Sequence, residues 1–257
     1  MKKQTIILAL AVFVVSLACQ LFFPASRERT VISDCTETVA AFHRVKPGPV
    51  PEHLEQTGVK QGGEFDANDY FDALTHISMQ AGYTLDYVYS VDFLGAYPVL
   101  YARPEGQPPY ASTQDIPENT ELADFRDHLE VEDVEQGYFE YVMMDILAGQ
   151  FYLVWHAYYN DTRIVCNDDD VNAIITDVND GDFGMKLDLS QQAKARAMTD
   201  IEPAVQLTED AAIVEVIVFT KWGGFYRQTY TISRSFPHTI IDFKSENLVE
   251  YDCGVMF

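Results

Sequence analysis

The chain has 257 residues, 47% of them hydrophobic and 13% aromatic, enough for a substantial buried core and too apolar for a disordered chain. Lys and Arg number 17 against 40 Asp and Glu, a formal charge of −23. A surface of that sign repels the phosphate backbone of nucleic acid and gives no electrostatic hold on anionic lipid.

The N-terminus begins with Lys2 and Lys3, an apolar run from Ile6 to Val15 follows, and Ser16-Leu17-Ala18 precedes Cys19. A basic start, an apolar stretch and small residues before a cut read as an export signal over residues 1–18. The segment resembles the lipobox of bacterial lipoproteins, in which the Cys after the cut is lipidated and becomes the new N-terminus. That resemblance implies lipidation at Cys19 and the membrane as a partner through the lipid. The family usually has Leu three residues before the Cys; this chain has Ser16 there and Leu17 one place later, which leaves simple secretion open. An uncleaved anchor is open too, because Leu21-Phe22-Phe23 prolongs the apolar run to about the 20 residues that span a bilayer. All three alternatives put the body of the protein outside the cytoplasm. Loss of residues 1–18 would leave 15 basic against 40 acidic side chains, a charge of −25. In an oxidising compartment Cys35, Cys166 and Cys253 form at most one internal disulfide, and Cys166 with Cys253, each ending a strand-like run, is the expected pair.

Residues 19–62 read as an extended tether, stiffened by Lys46-Pro47-Gly48-Pro49-Val50-Pro51, and residues 63–257 as one α+β extracytoplasmic domain. Asp66 caps an expected helix in which Tyr70, Leu74, Ile77 and Ala81 recur at helical spacing, and Gly82 ends it. Leu85, Tyr87, Tyr89, Val91 and Phe93 then alternate as a strand, and Gly95 turns the chain into a second strand over Pro98 to Arg103. The proline-rich stretch 104–119 is a loop, and Leu122, Phe125 and Leu129 mark a short helix. Tyr138 to Leu147, Phe151 to Tyr159 and Thr162 to Cys166 are expected as an antiparallel meander, with a tight turn at Asn160-Asp161. Val171, Ile174, Ile175 and Val178 return to helical spacing, and Ser190 caps a further short helix to about Met198. Strands over Ala211 to Thr220, Phe225 to Ser233, Thr239 to Lys244 and Leu248 to Cys253 complete the chain. The fold class is α+β: mainly antiparallel hairpins and meanders, with several short helices packed on one face.

Two strings invite a ligand. Asp177, Asn179, Asp180 and Asp182 resemble the opening of a calcium loop, in which alternate oxygens converge on a hard cation. Gly181 is fifth rather than sixth, and Asp188 holds the twelfth place usually given to Glu. The plainer account is a helix C-terminus in which Asn179 and Gly181 supply left-handed residues. Around an expected hairpin turn, Trp222, Phe225, Tyr226 and Arg227 cluster aromatics with positive charge, suited to stacking on a sugar or anchoring a partner, or else folded back on the sheet. Asn167-Asp168-Asp169-Asp170 reads as a helix cap favoured by the dipole, and the nine acids from Asp115 to Glu135 as a solvated helix face.

No GxSxG elbow, HExxH or Gly-rich phosphate loop occurs, and the six histidines share no ligand spacing. The sequence therefore points to a membrane-tethered or secreted module of the bacterial cell envelope, binding or structural, with an envelope or extracellular ligand as its expected partner. The rival is a secreted hydrolase using carboxylates and His156, which requires a cleft where acids and a histidine meet.

Overall fold

The computed structural model describes residues 28–92, 95–155, 162–182 and 184–254. The export signal, Cys19, His156 and the Asn160-Asp161 turn lie outside these residues. The α+β class stands, and every strand pairing is antiparallel. The largest sheet runs in the order β1 (Thr30–Val31), β8 (Ala204–Leu207), β9 (Ala211–Thr220), β10 (Gly224–Ser233), β11 (Ile240–Glu250). β7 (Arg163–Val165) joins the same edge of β9 as β8, one strand beyond the other. A second sheet is the hairpin of β3 (Tyr83–Val91) and β4 (Gly95–Pro104), extended by β6 (Val154–Trp155). A two-stranded ribbon pairs β2 (Ile77–Met79) with β5 (Leu129–Val131).

β9 explains the layering. Val214, Val216 and Val218 alternate with Ile217 and Phe219, and both sets are buried, as in a strand covered on both faces. One face meets α4 (Glu135–Leu147) and joins the core that holds Leu85, Tyr87 and Tyr89 of β3. The other packs with α5 (Asp168–Asp180) and α6 (Leu189–Arg196) around Ile174, Ile175, Phe225 and Tyr251. Helices thus cover both faces rather than one.

Several expectations are corrected. Tyr138 to Leu147 is no strand but the body of α4, wrapped by the core so that it is apolar all round and shows no stripe. Its one wholly buried acid, Glu140, accepts the His76 backbone N–H at 2.7 Å, meets the His76 ring at Nδ1 2.8 Å away, and accepts Gln136 Nε2 at 3.0 Å. Asp66 does cap, accepting the Asn68 N–H at 2.9 Å, but the helix behind it is a 3₁₀ turn plus α3 (Tyr70–Ala73), and Ile77 already belongs to β2. The helix expected around Leu122 to Leu129 is a 3₁₀ turn, Phe125–His128, running into β5. α6 is capped by Asp188, which exchanges a capping box with Gln191, rather than by Ser190. The last two expected strands are one, β11, bulged on the β10 side near each end. Such bulges, with Lys244 at mid-strand, guard the sheet edge against stray pairing.

Residues 30–62 are not an extended tether. From Thr30 onward the chain is part of the fold, through β1, α1 (Cys35–Val45) and α2 (Glu52–Thr57). Cys35, Phe42 and Leu54 are buried in the main core, where Phe42 stacks on Tyr70 with ring centroids 4.3 Å apart. The expected Cys166–Cys253 disulfide is replaced by Cys35–Cys166, with Cα atoms 5.6 Å apart, and Cys253 is a buried free thiol in the second core. A bond of this kind points to an oxidising, extracytoplasmic setting. Among the described residues no helix is long and apolar enough to cross a membrane.

Candidate functional site

Three segments enclose a cleft of about 350 Å³: the loop 60–68 after α2, the faces of β3 and β4 near Leu85 and Arg103, and the loop 109–111. The loops are tied together where the Lys60 N–H donates to the Ala111 carbonyl at 2.8 Å. Asn68 fastens the first of them to β3 as a neighbouring strand would. Its Oδ1 accepts the Leu85 N–H and the Thr84 hydroxyl, both at 3.0 Å, and its Nδ2 donates to the Leu85 carbonyl at 2.9 Å.

Asp86 is the electrostatic centre. It accepts Lys60 Nζ and Arg103 Nε at 2.7 Å each, and its own strand's Tyr87 N–H at 2.7 Å. The β3–β4 register makes this geometry natural, because Asp86 faces Tyr101 and Arg103 is the diagonal neighbour two residues on. The ion-paired side chains are only 13% (Lys60), 11% (Asp86) and 18% (Arg103) exposed. Lys60 also sits 4.6 Å from the centre of the Tyr87 ring, a cation–π contact, and Arg103 Nη1 reaches the Gln107 carbonyl. Burial, and then the charge of Asp86, push the Tyr101 hydroxyl up to about 12.

Glu64 lines the same cleft. Burial would raise its carboxyl, but the Gln61 N–H, the His53 ring and the Gly62 N–H outweigh burial and hold it below its usual value. A folded value below the unfolded one of about 4.3 contributes stability that is present above that pH and lost as the pH falls through the folded value. Glu64→Gln is therefore expected to flatten the loss of melting temperature between about pH 5 and pH 3, read from thermal melts across that range. An unchanged slope would mean that Glu64 takes no part in acid unfolding.

Tyr87 completes the lining. Burial first, with Tyr152 and Glu64 nearby, pushes its hydroxyl far above the usual tyrosine range. That hydroxyl is buried and has no hydrogen-bond partner among the described residues. An unsatisfied buried hydroxyl costs about 1–3 kcal/mol, so it calls for a reason.

The residues singled out from sequence lie elsewhere. Phe225 is fully buried, its ring centroid 4.8 Å from that of Phe219. Trp222 and Tyr226 line a separate cleft beside Asn247 and Tyr251, and Arg227 donates to the Thr199 carbonyl at 2.7 Å in the adjoining groove. The four thus divide between core and surface. Of the calcium-like string, Asp177, Asn179 and Asp180 form the last turn of α5, so their side chains radiate, and Asp177 is ion-paired with Arg163 at 2.6 Å. Neither Asn179 nor Gly181 is left-handed, since Gly181 has φ −65° and Asn179 is helical. Among the described residues no group of three or more His, Cys, Asp or Glu converges as metal ligands would. Asn167 does cap α5, accepting the Asp170 N–H at 3.1 Å. The acids from Asp115 to Glu135 form no helix face: Asp115 closes a capping box with Ser112, Asp124 pairs with Arg126, and Asp133 pairs with Arg234. Compared with known proteins, the chain matches no protein-family model, no curated protein and no solved structure.

Proposed function

We propose that this chain is a binding module of the bacterial cell envelope, exported, lipidated at Cys19 and held at the membrane outside the cytoplasm, and that the cleft at Asp86 is its ligand site. The observation that carries the binding part is a cleft lined by Phe65 and Tyr110 whose polar groups are already held in place by the Asp86 ion pairs and by Asn68. Side chains locked by ion pairs bind with little further ordering, which favours recognition of a small molecule. The lipobox-like start and the Cys35–Cys166 bond support the location.

The hydrolase alternative has one observation in its favour: Glu64, with His53 at 2.7 Å, lines the same cleft as Asp86. Both carboxylates are occupied by N–H donors, an arrangement suited to fixing charge more than to delivering a proton.

Thiol trapping tests the location. In cells producing the full chain, acid-quenched and then denatured, a maleimide polymer is expected to leave Cys35 and Cys166 unmodified until reductant is added. Labelled palmitate should enter the chain and be lost in Cys19→Ser. Rapid modification of both thiols without reductant would place the chain in a reducing compartment and sink the proposal.

A further inference from the structure

We infer that the ligand of the Asp86 cleft is a neutral sugar unit, a hexose or an N-acetylhexosamine; this rests on the cleft being the binding site. Both cations of the cleft, Lys60 and Arg103, are held by Asp86, so an anion finds no free positive partner, and with Glu64 and Asp66 the lining sets three carboxylates against two cations. The acidic surface, at −23 overall, adds a further barrier to anions. What the cleft offers instead is aromatic surface from the partly exposed Phe65 and Tyr110, set among polar side chains in fixed positions. Apolar ring faces beside oriented carboxylate, amide and guanidinium groups match a sugar, whose C–H faces are apolar and whose rim is all hydroxyl.

Three features fit this ligand in particular. Asp86 and Arg103 are diagonal neighbours on paired strands, so acceptor and donor lie side by side as adjacent sugar hydroxyls require. Arg103 spends Nε on Asp86 and Nη1 on Gln107, while Nη2 makes no hydrogen bond among the described residues. The volume of about 350 Å³ suits one or two sugar rings rather than a polymer.

The test is saturation-transfer NMR on the full chain in non-ionic detergent, with glucose, N-acetylglucosamine, glucuronate, glucosamine and glycine betaine as separate probes. The two neutral sugars are expected to give transfer signals that Tyr110→Ala abolishes. Tyr110→Ala is expected to melt as cooperatively as the parent, so that a lost signal reports a lost ligand contact and not an unfolded chain. If only a charged probe binds, and Tyr110→Ala abolishes it, the sugar assignment is overturned and the cleft remains the binding site. If no probe binds, or signals survive Tyr110→Ala, the sugar assignment and the cleft reading both fall.

Discussion

Replacing both Cys35 and Cys166 by Ser is expected to lower the unfolding free energy by about 4 kcal/mol and the melting temperature by roughly 10 °C. The two residues are 131 apart in sequence, so the bond closes a loop of about half the chain. Chain-entropy arguments put such a closure near 5 kcal/mol, and removal of native disulfides costs about 2–5. Freed of the cross-link, the denatured chain expands and exposes more surface, so the denaturant slope should rise while the midpoint falls. Urea unfolding of the parent, the double Ser variant and Cys253→Ser distinguishes these effects. The last lacks the thiol that takes no part in the bond, and it should keep the parental slope. A midpoint in the double variant equal to that of the parent would mean that the unfolded chain is already compact across that loop.

Asp86→Ala should be nearly as damaging, at about 3–5 kcal/mol, because it strands two partly buried cations. The cost is chiefly that of leaving Lys60 and Arg103 without an acceptor, not the attraction lost, since attraction and desolvation nearly cancel in an intact buried pair. A comparison follows from this. The triple change Lys60→Met, Asp86→Leu, Arg103→Met removes every charge at once and is expected to recover most of the stability lost in the single variant. Chemical denaturation of the two variants and the parent measures the difference. If the single variant lies within about 1 kcal/mol of the parent, water reaches these groups and the cleft is softer than its hydrogen bonds suggest.

The sequence carried the elements whose residue pattern is regular. β3 sets Leu85, Tyr87, Tyr89 and Val91 at period two although both its faces are largely buried, β9 is an apolar run, and α5 shows a one-sided stripe from Val171 to Val178. α4 did not, because burial on all sides removes the stripe that marks a helix; only its 13-residue length, long for a strand, was a usable signal. α1 was passed over beside the prolines that follow it, although Cys35, Thr38 and Phe42 recur at helical spacing and are all buried. Disulfide pairing among three cysteines depends on which segments meet, and β7 pairs with β9 rather than with its sequence neighbours. The cleft was least legible. Lys60, Glu64, Asp86, Arg103 and Tyr110 come from the 60–68 loop, β3, β4 and the 109–111 loop, with no spacing in common. The one local hint was Asp86, a charge in an otherwise aromatic strand, two places off register from an Arg on the next.

The disulfide also decides how the molecule would carry a pull from a membrane-held N-terminus. Tension entering at Arg29 meets the two residue pairs joining β1 to β8, and then the covalent link at Cys35. From there the load passes directly to Cys166 and the strand ahead of α5, bypassing everything between. The bypassed loop, about 130 residues and roughly 450 Å of chain if drawn straight, cannot be paid out while the bond is intact. Every residue of the Asp86 cleft lies inside it. A tether could thus tug on the body of the protein without deforming the cleft, and reduction of one bond would bring the cleft into the line of force.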